Sequence, residues 1–345
     1  MHEKLPGEMA KVYSILFTTI FLALLLLQLP RENLALDKVS DGFLWRTDLI
    51  KYIHRFRFLI GDRVFPIAVV GRDGWLFYAA EMSIQDYQNT APLNKRKLQR
   101  FARLLTALDE QTAKNGGVLV VIVPPNKSTI YPDYMPAQIP VIGSSSRLDQ
   151  FLEYIHENSA VQVLDVRPAM RTASRSYQVY GKADTHWNCL GAHSAYTELL
   201  SALSKSYPML MPHPLSDFDL ELLHKTSFDL SELLGVFVEE DVWTLTPKSP
   251  IVQDVTSVPM ASGEMMRVAV NPERPDLPSA LVFHDSFYQV CLNQLLEPHF
   301  SRTVSIPYTS VHGSGYFERI DRENADIVII EFTERYIEFF LGFLE

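Results

Sequence analysis

The spacing of apolar side chains along this sequence alternates between two patterns. In residues 92–114 apolar side chains recur three and four positions apart, which predicts an amphipathic helix. Its apolar face is formed by Leu98, Phe101, Leu104, Leu105 and Leu108. Asn115-Gly116-Gly117 ends the helix, and the unbroken apolar run 118–123 that follows is typical of a strand buried on both faces of a parallel sheet.

The same alternation continues to the end of the chain. Helices are predicted over 147–158, 190–205, 287–296 and 333–343. Strands are predicted over 67–70, 75–78, 161–166, 280–283, 302–306 and 326–330. Strands that alternate with helices indicate an α/β sandwich around a mainly parallel sheet. Residues 207–278 are richer in turns and are predicted to form an irregular insertion.

One long apolar run, from Val12 to Leu29, precedes this pattern. At about 1.5 Å per helical residue it just reaches across a hydrocarbon core of about 30 Å. It reads either as a cleaved signal peptide or as an uncleaved signal-anchor, and the lack of an A-x-A site after it favours the anchor. We therefore expect a single-pass protein of the cytoplasmic membrane with its globular part on the extracytoplasmic side. The expected division is a tail 1–11, a transmembrane anchor 12–29, a connector 30–63 and a globular domain 64–345.

Composition narrows the classes of partner. The chain has 31 basic and 41 acidic residues and a net charge of −10, with no basic stripe, which argues against nucleic acid. No zinc-type ligand spacing, Walker-type loop or dinucleotide fingerprint is present in the sequence, so neither a metal nor a cofactor is predicted. The two cysteines, Cys189 and Cys291, are either small buried hydrophobes or, in an exported domain, a disulfide.

Three polar residues combine into a candidate catalytic set: Asp184, His186 and Ser286. Asp and His two apart in an extended segment point to the same side of the backbone. The carboxylate can then hold one imidazole nitrogen while the other takes a proton from a serine. Ser286 follows a predicted strand, and sites in α/β sheets form at the carboxyl ends of the strands.

These residues carry a resemblance to a known family. The segments Asp184-Thr185-His186-Trp187-Asn188, His284-Asp285-Ser286-Phe287 and Gly71-Arg72-Asp73-Gly74-Trp75-Leu76-Phe77 resemble signatures of the alginate O-acetyltransferase family, of the AlgJ and AlgX types. The stretches Val123-Pro124-Pro125-Asn126-Lys127, Asp229-Leu230-Ser231-Glu232-Leu233-Leu234-Gly235 and Glu331-Phe332-Thr333-Glu334-Arg335 are similar to it as well. The likeness covers roughly residues 64–345. It departs at His284, where the family usually has Gly.

The resemblance implies an SGNH-hydrolase-like three-layer sandwich. It implies Ser286 as the acyl-accepting nucleophile, His186 as general base and acid, and Asp184 as the partner that orients the imidazole. It also implies an exported enzyme that works beside a multi-spanning membrane acyltransferase.

Three further side chains are weaker candidates. Asn126 follows a strand and can donate to an oxyanion, or it can simply structure its loop. Tyr308 follows another strand and can stack on a glycan. Arg335 can bind an anionic sugar or hold Glu331.

The expected function is a membrane-anchored O-acetyltransferase that loads an acetyl group onto Ser286 and passes it to a hydroxyl of an exported polysaccharide. Two alternatives stay open. One is a carbohydrate esterase, with water as acceptor, and the other is a non-catalytic scaffold that binds polysaccharide or the membrane acyltransferase. The sequence does not identify the acceptor glycan, the acyl group or the oligomeric state.

Overall fold

A computed structural model describes residue 19 and residues 46–249 and 253–345 of the chain. The chain divides into two compact units, Met1–Gly61 and Asp62–Glu345. In the first unit the helix α1 spans Arg46–Leu59. The expected anchor 12–29 lies outside the described residues except for position 19. Among the helices that the structure describes, none has the length and apolar character needed to cross a membrane.

The second unit begins with a short antiparallel pair of strands and continues as an α/β domain. Its strands are β1 (Ala68–Val70), β2 (Leu76–Tyr78), β3 (Val118–Val123), β4 (Gln162–Asp165), β5 (Phe218–Lys225), β6 (Glu240–Pro247), β7 (Asp254–Pro259), β8 (Met265–Val270), β9 (Ala280–His284), β10 (Arg302–Pro307) and β11 (Ile327–Glu331).

Its helices flank the strands. They are α2 (Ser83–Gln88), α3 (Lys95–Lys114), α4 (Lys127–Ile130), α5 (Arg147–Asn158), α6 (Arg167–Ala173), α7 (Cys189–Leu203), α8 (Asp229–Leu234), α9 (Asn293–Leu296), α10 (Ser314–Glu323) and α11 (Ile337–Leu344).

The central sheet has seven strands in the order β4-β3-β11-β9-β10-β8-β7. The first five are parallel. β8 pairs antiparallel with β10, and β7 pairs antiparallel with β8 at the edge of the sheet. The four inner parallel strands are almost entirely buried, because helices cover both of their faces. β3 is apolar throughout, β9 and β11 are apolar up to their last residues, and β10 carries Thr303 and Ser305 among its buried positions. Their carboxyl ends share one edge of the sheet, and that edge carries the polar residues considered below.

Alternate residues of the strands point to opposite faces of the sheet and belong to two separate apolar clusters. On one side Val120, Val282 and Ile329 pack with the buried face of α7. On the other side Val121, Phe283 and Ile330 pack with α3, α5, α10 and α11. Helices on both faces of one sheet make a three-layer sandwich, as the strand and helix pattern predicted.

Residues 207–278 differ from the irregular insertion that the sequence predicted. β5 and β6 pair antiparallel in register Phe218↔Pro247 to Lys225↔Glu240, and β7 and β8 extend the main sheet. Every residue of β7 is exposed and most of β5 is exposed. Exposed strands do not need the alternation of apolar and polar side chains that marks a half-buried strand, so the sequence gives them little signal.

The single helix predicted over 287–296 is also interrupted. Residues Tyr288–Leu292 form a distorted π-type turn in which Cys291 has φ 65°, and α9 follows it. The indole N–H of Trp187 donates to the carbonyls of Phe287 and Val290, both at 3.0 Å. Because those carbonyls are engaged from outside, the regular helical hydrogen bonds do not form here.

Candidate active site

Asp184, His186 and Ser286 lie in hydrogen-bond contact at the carboxyl edge of the sheet. His186 Nδ1 donates to Asp184 Oδ1 at 2.8 Å, and the backbone N–H of His186 donates to the same oxygen at 2.9 Å. In the tautomer that this contact selects, Ser286 Oγ donates to His186 Nε2 at 2.8 Å. The arrangement can therefore pass a proton between the serine hydroxyl and the imidazole.

Two links fix the His186 segment against the Ser286 segment. The disulfide joins Cys189, at the start of α7, to Cys291, with their Cα atoms 5.2 Å apart. The indole of Trp187 binds the two carbonyls named above, and its ring lies 5.2 Å from the ring of Phe287. Asn188 caps α7 by accepting from the N–H groups of Leu190 and Gly191. Of the two readings of the cysteines, the structure shows the disulfide.

A buried lysine supports the loop that carries Asp184. Lys127 Nζ donates to the carbonyls of Gly181 at 2.9 Å, Lys182 at 2.8 Å and Asp184 at 2.5 Å. Burial lowers the pKa of Lys127 to about 7. Burial alone would raise the pKa of Asp184, but the hydrogen bond and charge of His186 and the charge of Lys127 bring that pKa below its ordinary value.

A second carboxylate, Asp229 at the start of α8, faces the same imidazole. Its Oδ1 accepts from the backbone N–H of Thr185 at 2.8 Å, its Oδ2 accepts from the Thr185 hydroxyl, and Oδ2 lies 3.6 Å from His186 Nδ1. Burial and the neighbouring Asp184 charge raise the pKa of Asp229. Asp229 opens one of the segments that carry the family resemblance, but nothing in its local sequence predicts a contact with His186.

Asp184, His186 and Asp229 also have a spacing that a metal ion could occupy, since their ligand atoms lie within 4.8 Å of one another. Nδ1 of His186 is already engaged by Asp184, and both oxygens of Asp229 accept from Thr185. These donor atoms therefore already have partners within the protein.

The turn that presents Ser286 is held by its neighbour Asp285. Asp285 accepts from the N–H of Phe287 at 2.8 Å, and from the N–H and hydroxyl of Thr333 at 2.8 and 2.6 Å. Its own N–H donates to Glu331 at 2.9 Å. Burial and the charge of Asp285 raise the pKa of Glu331 well above its ordinary value, which favours the protonated form of its side chain.

Ser286 opens into a pocket of about 400 Å³ whose lining includes Glu81, Glu264, Tyr308, Tyr336 and Phe339. Tyr308 thus shares a pocket with the serine, but its ring is only 3% exposed because it packs edge-on against two phenylalanines. So little free ring surface argues against the predicted stacking of Tyr308 on a glycan.

His284, which replaces the family's usual glycine, lines the same pocket. Its Nδ1 donates to the carbonyl of Asp285 at 2.7 Å, and its ring stands 4.7 Å from that of Tyr288. It is a buried side chain packed at the end of the sheet.

Asn126 and Arg335 lie together in a separate, narrow cavity whose lining includes Thr185 but neither His186 nor Ser286. Asn126 Nδ2 and Arg335 Nε are buried there without hydrogen-bond partners. The guanidinium of Arg335 lies 5.1 Å from the ring of Tyr78, 5.3 Å from Phe287 and 4.9 Å from Tyr336. Across residues 46–249 and 253–345, no ion pair joins it to Glu331, so that alternative for Arg335 is wrong.

Comparisons with known proteins agree with this fold. A family model described as "SGNH hydrolase-like domain, acetyltransferase AlgX" matches residues 68–266. The probable alginate O-acetylase AlgJ of Pseudomonas putida is 28% identical over 140 residues, which cover 41% of this chain and 34% of the relative. AlgJ of Pseudomonas aeruginosa is 26% identical over 147 residues, covering 43% and 36%. The match thus spans about a third of the length of these curated relatives.

Solved structures share the fold at low identity. Bacillus cereus PatB1 with a sulfonyl adduct superposes with a TM-score of 0.61 at 15% identity, over 81% of this chain and 100% of that one. The O-acetyltransferase domain of Pseudomonas putida AlgJ gives 0.51 at 22% identity, over 79% and 92%. The predicted SGNH-hydrolase-like α/β fold is confirmed, and the match over residues 68–266 shows that the chain belongs to the family of AlgX-type SGNH hydrolase-like acetyltransferases.

Proposed function

We propose that this protein is an O-acetyltransferase that carries an acetyl group on Ser286 and transfers it to a hydroxyl of a polysaccharide. The observation that carries this proposal is the hydrogen-bonded line from Asp184 through His186 to Ser286. Membership of an acetyltransferase family agrees with it.

The proposed reaction has two halves. Ser286 Oγ attacks the carbonyl of an acetyl ester while its proton moves to His186 Nε2, and collapse of the intermediate expels the donor alcohol, which takes that proton. The acceptor hydroxyl then gives its proton to His186 and attacks the acetyl-serine, and the released serine recovers the proton. Asp184 holds the imidazole in the required tautomer and balances its charge when protonated.

Stabilisation of the oxyanion is assigned to donors at the same edge of the sheet. The backbone N–H of Ser286 is the nearest candidate, because the N–H groups of Asp285 and Phe287 on either side of it already donate to Glu331 and Asp285. We propose that Asn126 Nδ2 and Arg335 Nε assist, since both are buried donors without a partner. A modest shift of the loops at substrate binding would have to join their cavity to the pocket of Ser286.

Replacement of Ser286 by Ala tests the mechanism. Incubation of the wild-type protein with an activated acetyl ester should add the mass of one acetyl group to Ser286, and S286A should gain none. We expect at least about a 10³-fold loss of transfer in S286A and in His186→Ala, because triad members act as a unit. An unchanged thermal melting curve is the control for folding. Full activity in S286A would exclude an acyl-serine.

The esterase alternative uses the same three side chains with water as acceptor. Comparing the rate of acetyl-ester hydrolysis with the rate of transfer to an oligosaccharide distinguishes the two. The esterase would be favoured if added oligosaccharide neither slowed hydrolysis nor accepted any acetyl groups.

We also propose, from the apolar run 12–29 and the family resemblance, a membrane-anchored protein of the cytoplasmic membrane, with its domain outside the cytoplasm and its acetyl groups supplied by a multi-spanning acyltransferase. Alkaline extraction of membranes tests the anchor. Release of the full-length chain into the soluble fraction would contradict it.

A further inference from the structure

The charged and aromatic side chains that line the Ser286 pocket restrict the charge of the acceptor that can bind there. We infer that the acceptor is a polysaccharide of uncharged sugars rather than a polyuronate. The inference rests on the proposed function, because it assumes that the pocket beside the nucleophile receives the sugar.

Glu264 supplies one unneutralised carboxylate to this pocket. It precedes β8, and because β8 runs antiparallel to β10 its start lies at the carboxyl end of β10, beside Tyr308. Its oxygens accept from the Thr309 hydroxyl at 2.9 and 2.8 Å and from the hydroxyl of Ser310. These partners are neutral, so they orient the carboxylate without cancelling its charge.

Glu81 supplies the second carboxylate. Its Oε2 is buried and has no hydrogen-bond partner. A buried acceptor without a partner is costly, and a sugar hydroxyl is a neutral donor that could satisfy it. Throughout the described part of the domain, no basic side chain has a nitrogen within 4.0 Å of a carboxylate oxygen of Glu81 or Glu264, so neither forms an ion pair.

The basic groups near the pocket do not provide a site for a sugar carboxylate. Arg335 is 4% exposed, is covered by the rings of Tyr78, Phe287 and Tyr336, and lines the other cavity. His284 is buried, and burial lowers its pKa, so its imidazole is neutral at pH 7. A uronate in this pocket would face two carboxylates with no cation to pair with it.

The remaining wall suits the apolar face of a neutral sugar. Phe339 is 49% exposed, and its ring stands edge-to-face with Tyr336 at 6.2 Å. An exposed ring beside hydrogen-bonding carboxylates offers a stacking surface and strong acceptors for hydroxyl groups. A negatively charged sugar in this partly closed pocket would be repelled by the two carboxylates. We therefore expect kcat/KM to be about tenfold or more higher for the neutral chain than for the uronate chain.

The test uses the full-length protein, an activated acetyl ester as donor, and two acceptors of equal length: a β-1,4-linked glucose oligosaccharide and a mannuronate oligosaccharide. Acetylated products are measured by mass spectrometry. We expect kcat/KM for the glucose chain to exceed that for the uronate chain by about tenfold or more. In the double variant Glu81→Gln and Glu264→Gln, the uronate-to-glucose ratio should rise by about tenfold. Glu153→Gln, on the exposed face of α5, is the matched control and should leave the ratio unchanged.

Equal or better transfer to the uronate chain, or an unmoved ratio in the double variant, would overturn the inference. If the double variant melts early, Glu264→Gln alone is compared in the same way. If neither chain is acetylated, calorimetric binding of both to S286A protein decides the preference, and tighter binding of the uronate overturns it. Failure of the proposed function has a different signature, because Ser286 then gains no acetyl group from the donor in the first place.

Discussion

Glu331 lies directly beneath the nucleophile turn, where it accepts from the backbone N–H of Asp285. Its raised pKa favours the protonated form in the folded protein, so between the ordinary pKa of Glu, about 4.3, and the folded-state pKa the folded state binds more protons than the unfolded state. The resulting stabilisation is complete below that pH and is lost as the pH rises toward the folded-state pKa.

Replacing Glu331 by Gln should therefore remove a pH dependence of stability. We expect the free energy of unfolding of E331Q, relative to wild type, to increase as the pH rises above the ordinary pKa of Glu, by at most about 1.4 kcal/mol per pH unit. Urea unfolding across this range measures it. Glu318→Gln, on an exposed position of α10, is the control. Parallel curves for E331Q and wild type would show that Glu331 is ionised in the folded protein.

Lys127 supports the loop that carries Asp184 and leads to His186. Three carbonyls of the loop before His186 accept from its Nζ, and they match the three N–H donors of an ammonium group. Lys127→Met keeps the apolar stem but leaves these carbonyls unpaired, at about 1–3 kcal/mol for each buried acceptor. We expect lower stability and slower acetylation of Ser286, measured by urea unfolding and by mass spectrometry. The exposed Lys95→Met should change neither, and a Lys127→Met protein equal to wild type would contradict the supporting role.

At the scale of elements, the relative position of base and nucleophile depends on how α7 is tied to the π-type turn. The Cys189–Cys291 disulfide closes a sequence separation of 102 residues. A native disulfide typically contributes about 2–4 kcal/mol to the stability of a protein. The double variant Cys189→Ser and Cys291→Ser should lose stability of this order and acetylate Ser286 more slowly.

Denaturant unfolding of the oxidised protein, the reduced protein and the double serine variant measures this effect. The reduced protein should match the variant, because both lack the covalent link. If all three unfold at one denaturant concentration, the bond contributes nothing to the fold.

The elements also show where sequence patterns are informative. The buried strands β3, β9 and β11 are predicted within about a residue, because helices on both faces require an unbroken apolar run. β5 and β7 are missed because their exposed side chains carry no such requirement. The helix after Phe287 is predicted as regular because the bonds that distort it come from Trp187, a hundred residues earlier.

At the scale of the whole molecule, a general rule accounts for part of the meeting of Asp184, His186 and Ser286. Carboxyl ends of parallel strands share an edge, which places Ser286 just past β9. Asp184 and His186 meet as predicted, but through a bend at Thr185 and His186 and not along an extended segment. Their catalytic roles stay predictions. The environments of Asp229, Lys127 and Glu331 could not be predicted, since each depends on partners about 45 to 60 residues away and on burial that only the assembled fold creates.

The placement of Glu264 has a practical consequence. It lies in the short connection of a hairpin, β7–β8, that joins the sheet at its outer edge and contributes neither the serine nor the imidazole. A chimera that receives this hairpin from a relative would keep its nucleophile and base while exchanging one wall of the chamber beside them. Such grafts offer a route to tune which polymer is modified without rebuilding the chemistry.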